Sequence, residues 1–156
     1  MSIFPVTVDS SVLNVRIRSF DERVKERLLK VMRKLSIELT TYVQTQKLSG
    51  QVLRNRTGQL RASIHPVGPT VTPIGITAGA GTNLSYAAFH EYGFTGTEQV
   101  RAHLRALKSG KMAQVREHAR VVHYPAHSYL RSALKDMAAT IEARIREAVI
   151  AEAKAK

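Results

Sequence analysis

Cysteine is absent from the chain, which excludes disulfides and thiolate chemistry together. Long apolar runs are absent too. Nothing approaches the roughly 18 residues that a membrane span requires, so no membrane partner is expected. The first residues show no basic-then-apolar pattern of a secretion signal. Acidic residues are a further shortage: 24 Lys and Arg stand against 12 Asp and Glu, a net charge of +12, and none of the acids falls between Leu39 and His90. Such an imbalance implies a polyanionic neighbour, either nucleic acid or an acidic protein surface. Aromatic residues are few, five Tyr and four Phe, and they are not interleaved with the basic stretch Lys47, Arg54, Arg56 and Arg61. A specific nucleic-acid reader is therefore not indicated.

Catalytic signatures are missing as well. There is no Gly-x-Ser-x-Gly, and His90-Glu91 lacks the second His that a zincin helix carries four residues on. His103, His118, His123 and His127 lie close in sequence without standard ligand spacing to a carboxylate. Gly75, Gly79 and Gly81 do not form a phosphate-cradling Gly-x-Gly-x-x-Gly ahead of a long helix. Ser63 and Ser85 read as strand-end residues. The expectation is a protein that is not an enzyme and has no catalytic residue, no cofactor and no metal.

What is present fits one domain over residues 1–156, with an ordinary apolar content of 44%. Residues Ser11 to Ser19 alternate, with Leu13, Val15 and Ile17 on one side, as a half-buried strand does. Ser19 to Glu22 has the form of a capping box. From there to about Leu48, Val24, Leu28, Val31, Leu35, Leu39, Tyr42 and Val43 make a helical stripe that no Gly or Pro interrupts before Gly50. After it, Thr57 caps a short turn, Gly58 permits close backbone approach, and Leu60 and Ile64 face inward. Val67, Val71, Ile74 and Ile76, punctuated by Gly and Pro, predict short strands and tight turns of a small antiparallel sheet.

Tyr86-Ala-Ala-Phe-His-Glu-Tyr-Gly93 places Tyr86, Phe89 and Tyr92 on one stripe of a short helix that Gly93 ends. The aromatics are expected in the core, with His90 and Glu91 at the polar edge. Between Gly93 and Pro125, Val100-Arg-Ala-His-Leu-Arg105 is echoed by Val115-Arg-Glu-His-Ala-Arg120 around Ser109-Gly110. Two arms about a glycine turn predict a protruding β-hairpin, inserted over about 94–124; the first arm alone also suits a helical turn, since Val100, Leu104 and Leu107 share a helical face. Ser128 is the expected N-cap of a last helix carrying Leu130, Leu134, Met137, Ala138, Ile141, Ile145 and Val149. The fold class is α+β: a small antiparallel sheet, a long N-terminal helix and a C-terminal helix packed on one face, plus the hairpin.

Three stretches carry a family resemblance. Arg56-Thr-Gly-Gln-Leu-Arg-Ala-Ser-Ile64, Tyr86-Ala-Ala-Phe-His-Glu-Tyr-Gly93 and Pro125-Ala-His-Ser-Tyr-Leu-Arg-Ser-Ala-Leu134 resemble, in order and spacing, segments of tailed-bacteriophage tail-completion and neck proteins. Putative tail components, minor tail protein Z and virion-morphogenesis proteins belong to the same group. The resemblance covers roughly Asp21 to Glu147. It departs from the family at Ser128, where many members have Pro, and in the long basic insertion Phe94–Tyr124.

The resemblance implies a structural virion subunit, assembled in the host cytoplasm into a ring, hexameric in the family's terms, that joins the tail to the DNA-filled head. Its implied partners are its own copies and neighbouring neck proteins such as a head-completion or stopper protein and a tail terminator or tail tube, with non-specific contact to packaged DNA. Thr57, Gly58, Leu60, Arg61, Tyr86, Glu91, Gly93, Pro125, Leu130 and Arg131 are its structural motif positions. Glu91 is expected to pair with Arg61 or Arg131, either within one subunit or between two. Arg101, Arg105, Lys108, Lys111, Arg116 and Arg120 make the hairpin the expected docking element, ahead of DNA contact. The alternative function is a stand-alone basic nucleic-acid-binding protein.

Overall fold

In the computed structural model, residues 6–9, 12–16, 22–54, 56–73 and 75–154 are described. Strands β1 (Val6–Asp9) and β2 (Val12–Arg16) lead to helix α1 (Glu22–Tyr42), which continues into a wider π-helical turn, Val43–Lys47. A five-residue helix α2 (Gln59–Ser63) precedes strands β3 (His65–Thr72) and β4 (Gly75–Gly81). The short helix α3 (Ala87–Tyr92) is followed by β5 (Phe94–Val100), β6 (His103–Ala106), β7 (Met112–Val115) and β8 (His118–Tyr124). Helix α4 (Leu130–Lys154) closes the described chain. The predicted α+β class is the observed one. Of the expected capping box, Ser19 and Asp21 lie outside the described residues, as do Ile17 and Ile74.

The main sheet is antiparallel with order β1-β2-β4-β3. Strand β1, unforeseen in the sequence, pairs Val6 with Val15 and so puts a second strand beside the predicted one. Ile76 lies between Val15 and Val71 in register and is fully buried, at the centre of the sheet. The far edge, β3, carries Pro66 and Pro69, which offer no N–H to a further strand.

Helix α1 packs against β3 and β4 on one side and α4 on another. Its buried residues are Leu28, Met32, Leu35, Ser36, Leu39 and Thr40, so the inward face is turned from the predicted stripe. Val24, Val31 and Tyr42 move to its margin, and Met32, Ser36 and Thr40 take the centre. The two hydroxyls are tolerated because each donates to its own helix, Ser36 Oγ to the Arg33 carbonyl at 2.8 Å and Thr40 Oγ1 to the Ser36 carbonyl at 2.9 Å. Helix α4 contributes Ala133, Leu134, Ile141, Ile145, Ala148 and Val149, close to the predicted stripe. Each buried Leu or Ile stabilises the fold by about 1.5–3 kcal/mol.

The π turn closes with Leu48 N–H on the Val43 carbonyl at 3.0 Å and keeps both side chains in the core. It also sets Gln44, whose amide donates to the carbonyls of Arg61 and Ile64 at 3.2 and 3.0 Å and ties α2 to α1. Lys47 reaches Asp136 of α4 at 2.7 Å, beside the Tyr42 hydroxyl at 3.1 Å, and holds that carboxyl below its ordinary value.

Candidate functional site

The short helix α3 does not use its residues as the sequence pattern predicts. Phe89 is 48% and Tyr92 60% exposed, while Ala87 and Glu91 are the buried positions. The expectation of an aromatic core stripe with Glu91 at its polar edge is therefore reversed. A carboxylate can sit there, 3% exposed, because its full acceptor capacity is met.

Those partners all come from the start of α4. Glu91 Oε2 accepts the backbone N–H groups of Tyr129 and Leu130, both at 2.8 Å, and Oε1 accepts that of Arg131 at 3.0 Å. Oε1 also takes the Ser128 hydroxyl at 2.8 Å and Arg131 Nε at 3.0 Å. One side chain thus satisfies three of the N–H groups that a helix start leaves unpaired, and puts a negative charge at the positive end of the helix dipole. Ser128 is not the direct N-cap that was expected: its hydroxyl donates to Glu91, and Glu91 does the capping. Burial alone raises the Glu91 pKa, yet the bonds from Leu130, Arg131 and Ser128 outweigh it and hold the carboxyl below its ordinary 4.5. The same burial, reinforced by the Glu91 charge, pushes the Tyr129 hydroxyl well above its usual range.

Arg131 completes the joint. Its Nη2 donates to the Glu91 carbonyl at 2.8 Å, and its guanidinium lies over the Tyr92 ring, 4.7 Å from the centroid. The expected bridge is therefore internal and uses Arg131; Arg61 is exposed and its side chain makes no bridge to Glu91. His127 N–H on the His90 carbonyl at 2.7 Å adds a backbone tie. Gly93 has φ +75°, and a Cβ there would meet the Tyr124 carbonyl oxygen at 2.9 Å and Ala126 N at 3.0 Å. Only glycine allows the chain leaving α3 to pass so close to the strand returning through Pro125. At this crossing Phe89, Phe94 and Tyr124 form a partly exposed aromatic collar, with centroids 5.0 and 6.5 Å apart.

The crossing is the root of the hairpin. Strand β5 pairs with β8 from Phe94↔Tyr124 to Val100↔His118, and β6 pairs with β7 from His103↔Val115 to Ala106↔Met112. The first arm is strand, not the alternative helical turn. The internal echo marks the break between the ladders: Val100 and His103 stand opposite His118 and Val115. Both histidines bond Nδ1 to the carbonyl two residues back, His103 to Arg101 at 2.9 Å and His118 to Arg116 at 2.8 Å. A carbonyl only accepts, so each Nδ1 carries the proton, and the repeated Val-Arg-x-His segment makes the same local bond on both strands.

No residue from Phe94 to His127 is buried. Arg101, Arg105, Lys108, Lys111 and Arg116 are all exposed on the outer half of the arm, beside exposed Leu104, Leu107 and Met112. Arg120 differs, since its Nη2 pairs with Glu98 across the ladder at 2.7 Å. Its charge is matched locally, and it serves the ladder more than a partner.

The first motif stretch lies elsewhere, on a pocket of about 400 Å³. Thr57, Gly58, Leu60 and Arg61 line it together with Tyr86 and His90 of the second stretch. The N-cap of α2 is Gly58, with φ +74°, rather than Thr57, which only accepts a long bond from Gln59 N–H on Oγ1 at 3.4 Å. Arg54 and Arg56 line the pocket too, outside the motif positions; the absence of acids around them is the only sequence signal that marks them. Among the described residues no group of three or more His, Asp or Glu is placed to hold a metal ion, and no helix is long and apolar enough to cross a membrane. Comparison with protein-family models, curated proteins and solved structures finds no match to this chain.

Proposed function

We propose that the chain is a structural, non-enzymatic subunit of a tailed-phage neck, assembling as a ring that joins the tail to the DNA-filled head. The observation that carries this reading is the joint at Glu91. Two of the three stretches that resemble the neck family, separated by the long insertion, meet there in one network of hydrogen bonds. Their residues do architecture: they clamp the root of a basic arm to the start of a core helix.

The arm suits docking. Its contour from Phe94 to Leu107 is roughly 45 Å at about 3.3 Å per residue, and its outer half sets cations with no carboxylate partner among the described residues beside exposed Leu and Met. Clustered charge beside apolar side chains fits a protein neighbour, for which complementarity gives registration and fast encounter. A basic channel lining against DNA needs only diffuse charge.

Reversal of Arg101, Arg105 and Arg116 to Glu tests this reading in assembling particles. The variant subunit is expected to fold normally and to fail in joining tails to filled heads. Particles that still join but leak their DNA would overturn docking and favour a DNA-holding arm.

A further inference from the structure

We infer that the pocket between α2 and α3 is a binding site for an acidic peptide segment of a partner protein, one that presents an apolar side chain next to its carboxylates. This goes beyond the assembly proposed above, since the arm plays no part in it. The pocket has two chemically distinct zones. Its floor is apolar: Leu48, 2% exposed, with partly buried Leu53 and Leu60. Its rim carries the exposed guanidinium side chains of Arg54, Arg56 and Arg61.

Three cations around one opening repel one another, and the described residues supply no carboxylate to balance them. The sequence holds no acid between Leu39 and His90. The carboxylates of Glu91 and Asp136 are engaged by Arg131 and Lys47. No described carboxylate pairs with Arg54, Arg56 or Arg61. An incoming carboxylate would relieve that repulsion, and the planar guanidinium fork suits it bidentately. Gly58 contributes no side chain to the wall.

The apolar floor selects the class of anion. A phosphate backbone asks for cations strung along a track. A bowl of about 400 Å³ with leucine at its base holds one or two side chains. An acidic segment with a single Leu or Phe anchor satisfies both zones at once, which neither a bare anion nor a purely apolar segment does.

Fluorescence polarisation on the full chain tests the site with a labelled hexapeptide of alternating Glu and Leu. Saturable binding is expected, weakened about tenfold or more both for an alternating Gln-Leu peptide and for an all-Glu peptide. The double variant Arg54→Ala/Arg61→Ala is expected to lose a similar factor at an unchanged melting temperature, because both side chains are exposed. Arg101→Ala/Arg105→Ala on the arm is expected to bind as the parent does. The inference is overturned by absence of saturable binding, by equal affinity for the all-Glu peptide, or by equal loss in the arm variant. It is also overturned if a thymidine 12-mer displaces the peptide and its own binding falls in the Arg54/Arg61 variant, which would make the pocket a nucleic-acid site.

Discussion

Glu91 concentrates the stability of the joint in one carboxylate. Replacing it with Gln keeps the shape but turns an NH2 toward groups that are themselves donors, and it removes the charge facing Arg131 and the helix start. Glu91→Gln is expected to destabilise the fold by about 3 kcal/mol in chemical denaturation. The pH dependence follows from the direction of its shift. A carboxyl whose folded pKa lies below the ordinary 4.5 stabilises the fold above that value and loses its contribution as pH falls through the folded pKa. The melting temperature of the parent should therefore drop more steeply than that of Glu91→Gln as pH is lowered from 4.5; parallel curves would show that the carboxylate is not the cap. None of this was visible locally. A carboxylate in a short aromatic stretch reads as an exposed edge residue, and its partners lie 37 to 40 positions away, beyond the whole insertion. Only the pairing with an Arg beside an apolar stripe was within reach of the sequence.

The two long helices were readable because their apolar spacing runs without Gly or Pro for many turns. The rotation of the inward face of α1 was not, because Ser36 and Thr40 look polar until their hydroxyls are seen bonded within the helix. Leu134, 2% exposed on α4, tests the shared core. Leu134→Ala is expected to cost about 2–5 kcal/mol and to lower the melting temperature clearly. Arg144→Ala breaks only the exposed pair with Glu38 and should leave the melting temperature nearly unchanged. Equal small effects would mean that α4 docks on something other than this core. The hairpin was legible from its echo and its Ser109-Gly110 tip, whereas its division into two ladders, broken between Val100 and His103, was not. An isolated two-stranded ribbon is marginal, and this one has no buried residue. Limited trypsin digestion of the free subunit should cut first between Arg101 and Arg120 and be suppressed in assembled particles. First cleavage between Arg23 and Lys47 would contradict that order of stability.

Across the whole molecule, the excess of positive charge is distributed in a way that composition does not reveal. Lys25, Lys47, Arg120, Arg131 and Arg144 are each matched by a carboxylate. The outer arm, the pocket rim and the outward face of α1 (Arg27, Lys30, Arg33 and Lys34) hold exposed cations with no such match among the described residues. Separate basic surfaces of this kind suit the several neighbours of the proposed ring subunit better than a monomer that tracks DNA. Size-exclusion chromatography with light scattering at several concentrations tests that claim most directly. A closed assembly several times the 17.3 kDa chain mass is expected, six-fold in the terms of the family that the motifs resemble. A species that stays at 17.3 kDa throughout, while binding DNA with an affinity that falls steeply with salt, would contradict it.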